Sequence, residues 1–425
     1  MKENINETRF DSGLVVLSDR MEGVRSATLG FFVRLGARHE PLELNGITHF
    51  VEHCVFKGSL ERSAKEIAIE QDRLGGNLDA FTTHEETGFV IKVVDDQFER
   101  AFGLLAEMTL RPRFDESDLV NESRVIIEEI KMNDDSPEDV LSDIFHREFF
   151  PAHPLGLSIT GTPETVRTFD RKLTADFHKS AFSAGNLVIA AAGNVEHGRL
   201  LELVNNAVPN HAQPPRHAAP QTPVTAAPII VERRPDLEQA HLIIATPTVS
   251  GRDPRRYAAD MLANVLGGGT SSRLWQSVRE ERGLAYSIGA STGMFLDCGF
   301  LAVSAATSPE QAGEVAEIAA VEMARLVSDG ITDEELALMK DQARASILLD
   351  LEDSAGRAAT LAQCEMVHGR QISIEETLEN LEAVTTDDVQ DIAIEFFQPD
   401  KIAFAVLGDI DNPELFRERL GKVAD

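Results

Sequence analysis

The chain has 425 residues, of which 43% are hydrophobic and 26% are charged, and its formal net charge is −31. This composition is close to that of average globular proteins and argues against a disordered or fibrous class. No apolar run reaches the roughly 18 residues that a membrane span needs, and the strong negative charge argues against nucleic acid as a partner because it repels phosphate backbones.

The first ten residues are polar and lead directly into a short apolar stretch, Leu14 to Leu17. They lack the charged start, the long apolar segment and the small-residue cleavage site of a secretion signal. We therefore expect a cytoplasmic protein that does not enter a membrane.

The length suggests two domains or a duplicated unit of about 200 residues each. The run from Val208 to Pro228 is rich in proline and alanine and has no apolar period, which is typical of a linker. We predict a first domain at 1–209, a linker at 210–228 and a second domain at 229–425.

The order of predicted elements repeats in the two halves. In each half a strand, a helix and two further extended segments follow one another at comparable positions. The first set lies at 27–36, 46–56, 78–83 and 88–94, and the second at 241–248, 254–266, 286–292 and 298–305. The sequence therefore predicts an α+β protein of two homologous domains, each with a mostly antiparallel sheet of about six strands packed against helices.

The helix predicted at 46–56 carries two histidines at metal-binding spacing. His49 and His53 are one helical turn apart on one face, and Glu52 lies beside them. One Zn²⁺ ion can take both imidazoles, and the Glu52 carboxylate then lies near the open coordination position, in the order H-x-x-E-H. A single histidine on such a helix is more often packed or solvated, but this pair with a glutamate between them predicts a metal site.

A catalytic zinc ion keeps three protein ligands, so a third must come from elsewhere in the chain. The segment Glu116–Asp134 is predicted to be a buried helix, on which Glu122 and Glu129 share a face. A buried carboxylate needs a cation or hydrogen-bond donors beside it. Glu129 would meet this need as a ligand of zinc, and Glu122 would meet it as the hydrogen-bond partner of a zinc-binding histidine. The periodicity does not exclude the neighbouring Glu128 as the third ligand. The alternative interpretation of Glu128 is a solvated carboxylate at the surface.

A glycine-rich stretch, Gly267–Leu274, lies in the second half and is followed by Arg279 and Tyr286. The glycines predict a tight turn before a helix, and the lysine of a phosphate-binding loop is absent, so a nucleotide site is not indicated. From the residues alone, Arg279 is interpreted as a surface charge on a helix and Tyr286 as a packing residue on a strand.

The motif at His49, Glu52 and His53, followed downstream by Glu129, resembles the pitrilysin and insulin-degrading enzyme family of zinc peptidases. The similarity extends over nearly the whole chain and is greatest to short bacterial members related to the β-subunit of mitochondrial processing peptidase. The resemblance implies one Zn²⁺ per chain, with Glu129 rather than Glu128 as the third ligand. It also implies that Glu122 orients a zinc-binding histidine.

The segment Gly75–Thr87 resembles the family's edge strand, which binds substrate by strand addition. The resemblance implies that the peptide lies along four residues: Asp79, Ala80, Phe81 and Thr82. Many relatives carry asparagine where this chain has Asp79, and a carboxylate lacks the amide N–H that would donate a side-chain hydrogen bond to substrate. His84 in this segment is not assigned to metal.

The resemblance further implies a zinc metalloendopeptidase that hydrolyses unfolded peptides inside an enclosed chamber. Glu52 would accept a proton from the attacking water, while Arg279 and Tyr286 donate to substrate carbonyl oxygens as charge develops. Long relatives close four such domains into one chamber, whereas this chain has two. We therefore predict a homodimer in which Arg279 and Tyr286 of one subunit complete the zinc site of the other.

Two other interpretations stay open. Some relatives keep the fold as a non-catalytic scaffold or work only beside a related chain, so fold alone does not establish activity.

The identity of the metal is a separate question, because two imidazoles and one carboxylate also accept manganese or cobalt. The sequence does not indicate which peptides are cut.

Overall fold

The computed structural model describes residues 3–208, 221–410 and 412–420. None of the helices in these ranges combines the length and the apolar character that crossing a membrane requires.

The strands of the described residues form two sheets. They are β1 (Ile5–Arg9), β2 (Val15–Arg20), β3 (Ser26–Val33), β4 (Asn77–Thr82), β5 (Thr87–Val94), β6 (Leu187–Gly193), β7 (Ile229–Arg233), β8 (Ala240–Thr248), β9 (Ala285–Met294), β10 (Gly299–Thr307) and β11 (Ala403–Gly408).

The α-helices are distributed through both halves of the chain. They are α1 (Ile47–Cys54), α2 (Ala64–Leu74), α3 (Phe98–Leu110), α4 (Glu116–Asp134), α5 (Pro137–Phe149), α6 (Pro163–Val166), α7 (Arg171–Ala181), α8 (His197–Ala207), α9 (Arg256–Gly267), α10 (Ala312–Ser328), α11 (Asp333–Asp350), α12 (Ser354–His368), α13 (Ile374–Ala383), α14 (Thr386–Phe396) and α15 (Pro413–Leu420).

The two sheets have the same strand order. The first runs β1-β2-β6-β3-β5-β4, with β2 and β6 parallel and every other pair antiparallel. The second runs β7-β11-β8-β10-β9, with only β7 and β11 parallel. The predicted fold class is thus confirmed, and in the described residues the second sheet has five strands because it lacks a counterpart of β1.

Contacts divide the chain into two compact units that are not continuous in sequence. The first contains Met1–Met132, Leu157–Gln221 and Ser346–Ile374, and the second contains Asn133–Gly156, Thr222–Ala345 and Glu375–Asp425. Helix α5 of the first half therefore belongs to the second unit, and α12 of the second half belongs to the first. The homologous domains at 1–209 and 229–425 stay a prediction. Residues 210–220 of the predicted linker lie outside the described residues, and 221–228 have no regular secondary structure.

The first sheet is covered on both faces, which explains why its inner strands β3 and β6 are apolar and buried almost without interruption. Along β3, Phe31 contributes to the core that contains α1, α3 and α4, whereas Phe32 points to the opposite face. There it joins Leu361 and Ala362 of α12. The metal-motif helix α1 is thus packed into the larger of the two cores.

The second sheet receives its cover from α5. Leu141, Phe145 and Phe149 of this helix pack with Ala405 and Leu407 of β11. Each sheet is therefore covered in part by a helix from the other half of the sequence.

Candidate metal centre

Helix α1 is fixed at its start by a buried carboxylate. Glu40 accepts hydrogen bonds from the backbone N–H groups of Gly46, at 2.8 Å, and Thr48, at 2.7 Å, which are among the unpaired donors of a first helical turn. Gly46 has a φ of +93°, and a Cβ there would lie 2.7 Å from the Cα of Gly161. Only glycine fits this backbone conformation and close approach, so the helix enters the core in one orientation.

Three side chains from α1 and α4 meet around a gap of ionic size. Nε2 of His49 lies 3.7 Å from Oε1 of Glu129, and Nε2 of His53 lies 3.6 Å from Oε2 of the same carboxylate. One ligand atom from each of the three residues lies within 4.8 Å of the others. Ligands at about 2.0 to 2.2 Å from a tetrahedral zinc ion are themselves about 3.3 to 3.6 Å apart. The spacing therefore fits a single divalent ion held between them.

The surroundings shift the pKa values of the two imidazoles in opposite directions. Burial, and secondarily the charge of His53, lowers the pKa of His49 to about 4. This ring is therefore neutral near pH 7, which is the form that binds a metal. Burial also lowers the pKa of His53, but its hydrogen bond to Glu122 and the charges of Glu52 and Glu129 outweigh burial and raise it.

Glu122 holds His53 from the side opposite the gap. Its Oε2 lies 3.4 Å from Nδ1 of His53, and its Oε1 lies 2.9 Å from Nζ of Lys57. If Nδ1 carries the proton, Nε2 keeps its lone pair for a metal. The carboxylate is almost completely buried, with 4% of Glu122 exposed. The hydrogen bonds from His53 and Lys57 outweigh the effect of burial and lower its pKa.

Glu128 is directed elsewhere. It is exposed and accepts a hydrogen bond from Nζ of Lys131 at 2.7 Å, whereas Glu129 faces the two histidines. Of the two glutamates that periodicity left open, the structure brings Glu129 into the cluster.

Glu52 lies next to the cluster and is held by the edge strand. Its Oε2 accepts a hydrogen bond from the hydroxyl of Thr82 at 2.9 Å. Burial raises the pKa of Glu52, and the bond from Thr82 opposes that rise. A partly desolvated carboxylate with a raised pKa is the kind of group that exchanges protons near neutral pH.

Sequence reasoning missed the contacts of three residues here. It placed Thr82 on the substrate strand but not against Glu52, and it did not identify Glu40 or Lys57. Lys57 contacts Glu122 of α4, a residue that is 65 positions away in the sequence. The cap from Glu40 and the bond from Thr82 depend on tertiary contacts that leave no local pattern.

Strand β4 lies at the edge of the first sheet, next to β5. The backbone N–H of Thr83 donates to the carbonyl of Glu86 at 2.8 Å. Because N–H groups alternate in direction along a strand, those of Ala80 and Thr82 point to the free side of β4. Oδ1 of Asp79 accepts a hydrogen bond from the N–H of Ala80 at 3.0 Å. The side chain of Asp79 thus covers one of the free donors.

Phe81 and His84, two further residues of the segment Gly75–Thr87, contact other parts of the first unit. The ring of Phe81 packs against Phe32 with the centroids 6.4 Å apart. Nε2 of His84 lies 3.2 Å from the carbonyl oxygen of Leu157 and takes no part in the metal cluster.

Arg279 and Tyr286 belong to the second unit, where they contact each other. Arg279 lies in a π-helix, Trp275–Glu280, and Tyr286 lies near the start of β9. The guanidinium carbon of Arg279 is 4.5 Å from the centroid of the Tyr286 ring and 4.1 Å from that of Trp275. Tyr286 is 80% exposed, so it is not the strand packing residue that its sequence position alone suggested.

Comparisons with known proteins agree with this geometry. Residues 15–163 match the sequence model of a family described as insulinase, peptidase family M16, and residues 168–343 match that of the peptidase M16 inactive domain. An uncharacterized zinc protease of Mycobacterium leprae is 36% identical over 405 residues, which cover 94% of this chain and 91% of the relative. One from Bacillus subtilis is 33% identical over 409 residues, with 94% and 97% covered.

A solved structure is similar in fold. It is described as a peptidase M16 inactive domain from Pseudomonas fluorescens and superimposes with a TM-score of 0.89 at 20% sequence identity, covering 96% of this chain and 99% of the other.

Proposed function

This chain belongs to the insulinase family, peptidase family M16, and from that premise we propose that it is a zinc metalloendopeptidase that hydrolyses extended peptides. The observation that carries the proposal is the gap between His49, His53 and Glu129, with donor atoms 3.6 and 3.7 Å apart. Relatives that match over most of their length are named zinc proteases, which supports zinc as the metal.

The chain's own residues would bind the ion as two neutral imidazoles and one carboxylate. Such an ion, when bound, acts as a Lewis acid on a carbonyl oxygen and makes water more acidic. Glu122 keeps His53 in the tautomer whose Nε2 faces the gap. Burial keeps His49 unprotonated, so this ligand stays available well below neutral pH.

Glu52 is the proposed general base. Its carboxylate accepts a proton from the attacking water and then returns that proton to the leaving amine nitrogen. The hydroxyl of Thr82 donates a hydrogen bond to one oxygen of the Glu52 carboxylate. The other oxygen would accept the proton from the attacking water. Because Thr82 also belongs to β4, the strand proposed to bind substrate and the proposed base are joined by one hydrogen bond.

The proposed substrate is an unfolded peptide that adds a strand to β4. The N–H groups of Ala80 and Thr82 on the free side of this strand would pair with a peptide backbone of any sequence. Asp79 competes for the first of them. Main-chain pairing at an open edge explains why an extended, rather than a folded, substrate is expected.

Arg279 and Tyr286 would donate hydrogen bonds to substrate carbonyl oxygens as negative charge develops there. We propose that they do so across a two-fold symmetric homodimer with an enclosed chamber, so that each chain completes the site of its partner. The exposure of the Tyr286 ring is compatible with this role.

The test is to measure metal and peptide cleavage together in the wild-type chain and in Glu52→Gln. We expect the purified wild-type chain to cleave a quenched peptide, to lose activity with a chelator and to regain it with zinc. Glu52→Gln should keep its metal but lose at least about 100-fold in kcat, because general bases contribute about 10²- to 10⁴-fold. A zinc-loaded wild-type chain without cleavage, or an active Glu52→Gln, would refute the proposal.

A further inference from the structure

Arg279 has two aromatic neighbours, Trp275 and Tyr286, and Trp275 has no role in the proposed chemistry. We propose that Trp275 is a positioning residue that holds the guanidinium of Arg279 against the ring of Tyr286. The inference rests on the proposed function of Arg279 and adds a residue to it.

The guanidinium carbon of Arg279 lies over the rings of two aromatic residues. It is 4.1 Å from the centroid of Trp275 and 4.5 Å from that of Tyr286. Both distances are well inside the roughly 6 Å at which a cation is attracted by a ring face, and tryptophan is the strongest such partner. Tyr286 is largely exposed, so contact with its ring alone would restrict the Arg279 side chain little. Trp275, which lies on the same π-helix as Arg279, provides the second contact.

The contacts with the rings do not use the hydrogen-bond donors of the guanidinium. Arginine has five N–H donors, and the attraction of a cation to a ring face consumes none of them. Among the residues that the structure describes, no carboxylate forms an ion pair with Arg279, although the chain carries a net charge of −31. The aromatic rings therefore fix the group without using the donors that a substrate carbonyl needs.

The local backbone accounts for the stack. Residues Trp275–Glu280 form a π-helix, and the N–H of Glu281 bonds to the carbonyl of Gln276 at 2.9 Å. The wider winding brings side chains four and five positions apart onto one side. Arg279 and Glu280 both meet Trp275 in this way, since Nε1 of the indole donates to Oε1 of Glu280 at 3.1 Å. The indole N–H of Trp275 is thus bonded to Glu280 while the face of the indole ring contacts the guanidinium of Arg279.

The first experiment uses tryptophan fluorescence, because Trp275 is the only tryptophan in the chain. We expect Arg279→Ala to shift the emission of the wild-type chain. The matched control is Arg282→Ala, whose guanidinium bonds to Glu281 and to the carbonyl of Ser277 and should leave the emission unchanged. An unchanged spectrum for Arg279→Ala would show that the stack is absent and would overturn the inference.

The second experiment measures peptide cleavage by Trp275→Phe and Trp275→Leu at equal zinc content and equal melting temperature. Phenylalanine keeps a ring face, so we expect kcat/KM within about twofold of wild type. Leucine keeps apolar volume without a face, and we expect kcat/KM to fall by about three- to tenfold. In an Arg279→Ala background the leucine variant should cost nothing further.

Two results of the second experiment would overturn the inference: full activity of Trp275→Leu, or the same loss with and without Arg279. A wild-type chain without peptidase activity would instead contradict the proposed function. The emission comparison, which needs no substrate, would then still decide whether Trp275 holds Arg279.

Discussion

Among the described residues, the Glu52 carboxylate accepts one side-chain hydrogen bond, from the hydroxyl of Thr82 at 2.9 Å. A hydrogen bond to an ionised group contributes about 1.5 to 3 kcal/mol, so its loss would leave the carboxylate free to rotate away from the attacking water. The edge strand itself would remain, because backbone pairing between β4 and β5 does not involve this side chain.

We therefore expect Thr82→Val to lower kcat by at least about tenfold with little change in KM, because the loss of about 1.5 kcal/mol of stabilisation corresponds to roughly a tenfold change in rate. Thr82→Ser restores the hydroxyl and should keep most of the activity. Steady-state kinetics of the two variants at matched zinc content provide the comparison. Equal activity of the valine and serine variants would contradict this role of Thr82.

Part of the metal site could be predicted from single residues. The helical period alone places His49, Glu52 and His53 together. The helical period could not decide whether Glu128 or Glu129 is the third ligand, because these consecutive residues of α4 lie near the border of the buried face. That choice needed the family resemblance. Contacts of Glu40 and Thr82 join distant parts of the chain, so no local pattern predicts them.

At the scale of elements, the predictions that rest on apolar periodicity agree closely with the structure. Helix α4 has the predicted bounds, Glu116–Asp134, and α1 lies within the predicted 46–56. The π-helix that carries Arg279 was not predicted, because one widened turn does not change the apolar pattern enough to be recognised.

Which sheet a helix covers could not be predicted either. Periodicity shows that α12 is amphipathic, but its position on the first sheet depends on contacts with residues more than 300 positions away. Glu365 of α12 forms ion pairs with Arg9 and Arg34, both at 2.6 Å, and Arg357 pairs with Asp19. The buried charges of Glu365, Arg357 and Asp19 need their partners, which fixes α12 to this sheet.

The repeat of the fold does not extend to the chemistry. Helix α9 occupies the place in the second half that α1 occupies in the first, yet it contains no histidine. Across the described residues, the structure brings together a single group of metal-binding side chains, His49, His53 and Glu129. Within the described residues, the candidate metal site therefore lies in the first half, in agreement with the description of the family model matched at 168–343 as an inactive domain.

At the scale of the whole molecule, one chain carries both the metal ligands and the Arg279–Tyr286 pair. If the two signatures meet across a homodimer, chains that each lack one signature can complement each other. This arrangement can be tested without knowing the natural substrate.

We expect His49→Ala chains and Tyr286→Phe chains to be nearly inactive alone and to regain up to about a quarter of wild-type activity when mixed, since about half of the dimers are mixed and each has one intact site. Peptide cleavage after subunit exchange is the measurement. Mixing two batches of His49→Ala is the control. No recovery in a sample shown to contain mixed dimers would count against completion in trans.

The proposal that His49, His53 and Glu129 hold one zinc ion can be checked by the zinc content of the purified chain after dialysis. The variants to compare with wild type are Glu129→Gln and Glu128→Gln. These neighbouring glutamates form a matched pair, because Glu129 faces the two histidines whereas Glu128 bonds to Lys131 at the surface. We expect about one zinc per chain in wild type and in Glu128→Gln and a large loss of zinc in Glu129→Gln. Full zinc content in Glu129→Gln, or loss of zinc in Glu128→Gln, would contradict this assignment of the ligands.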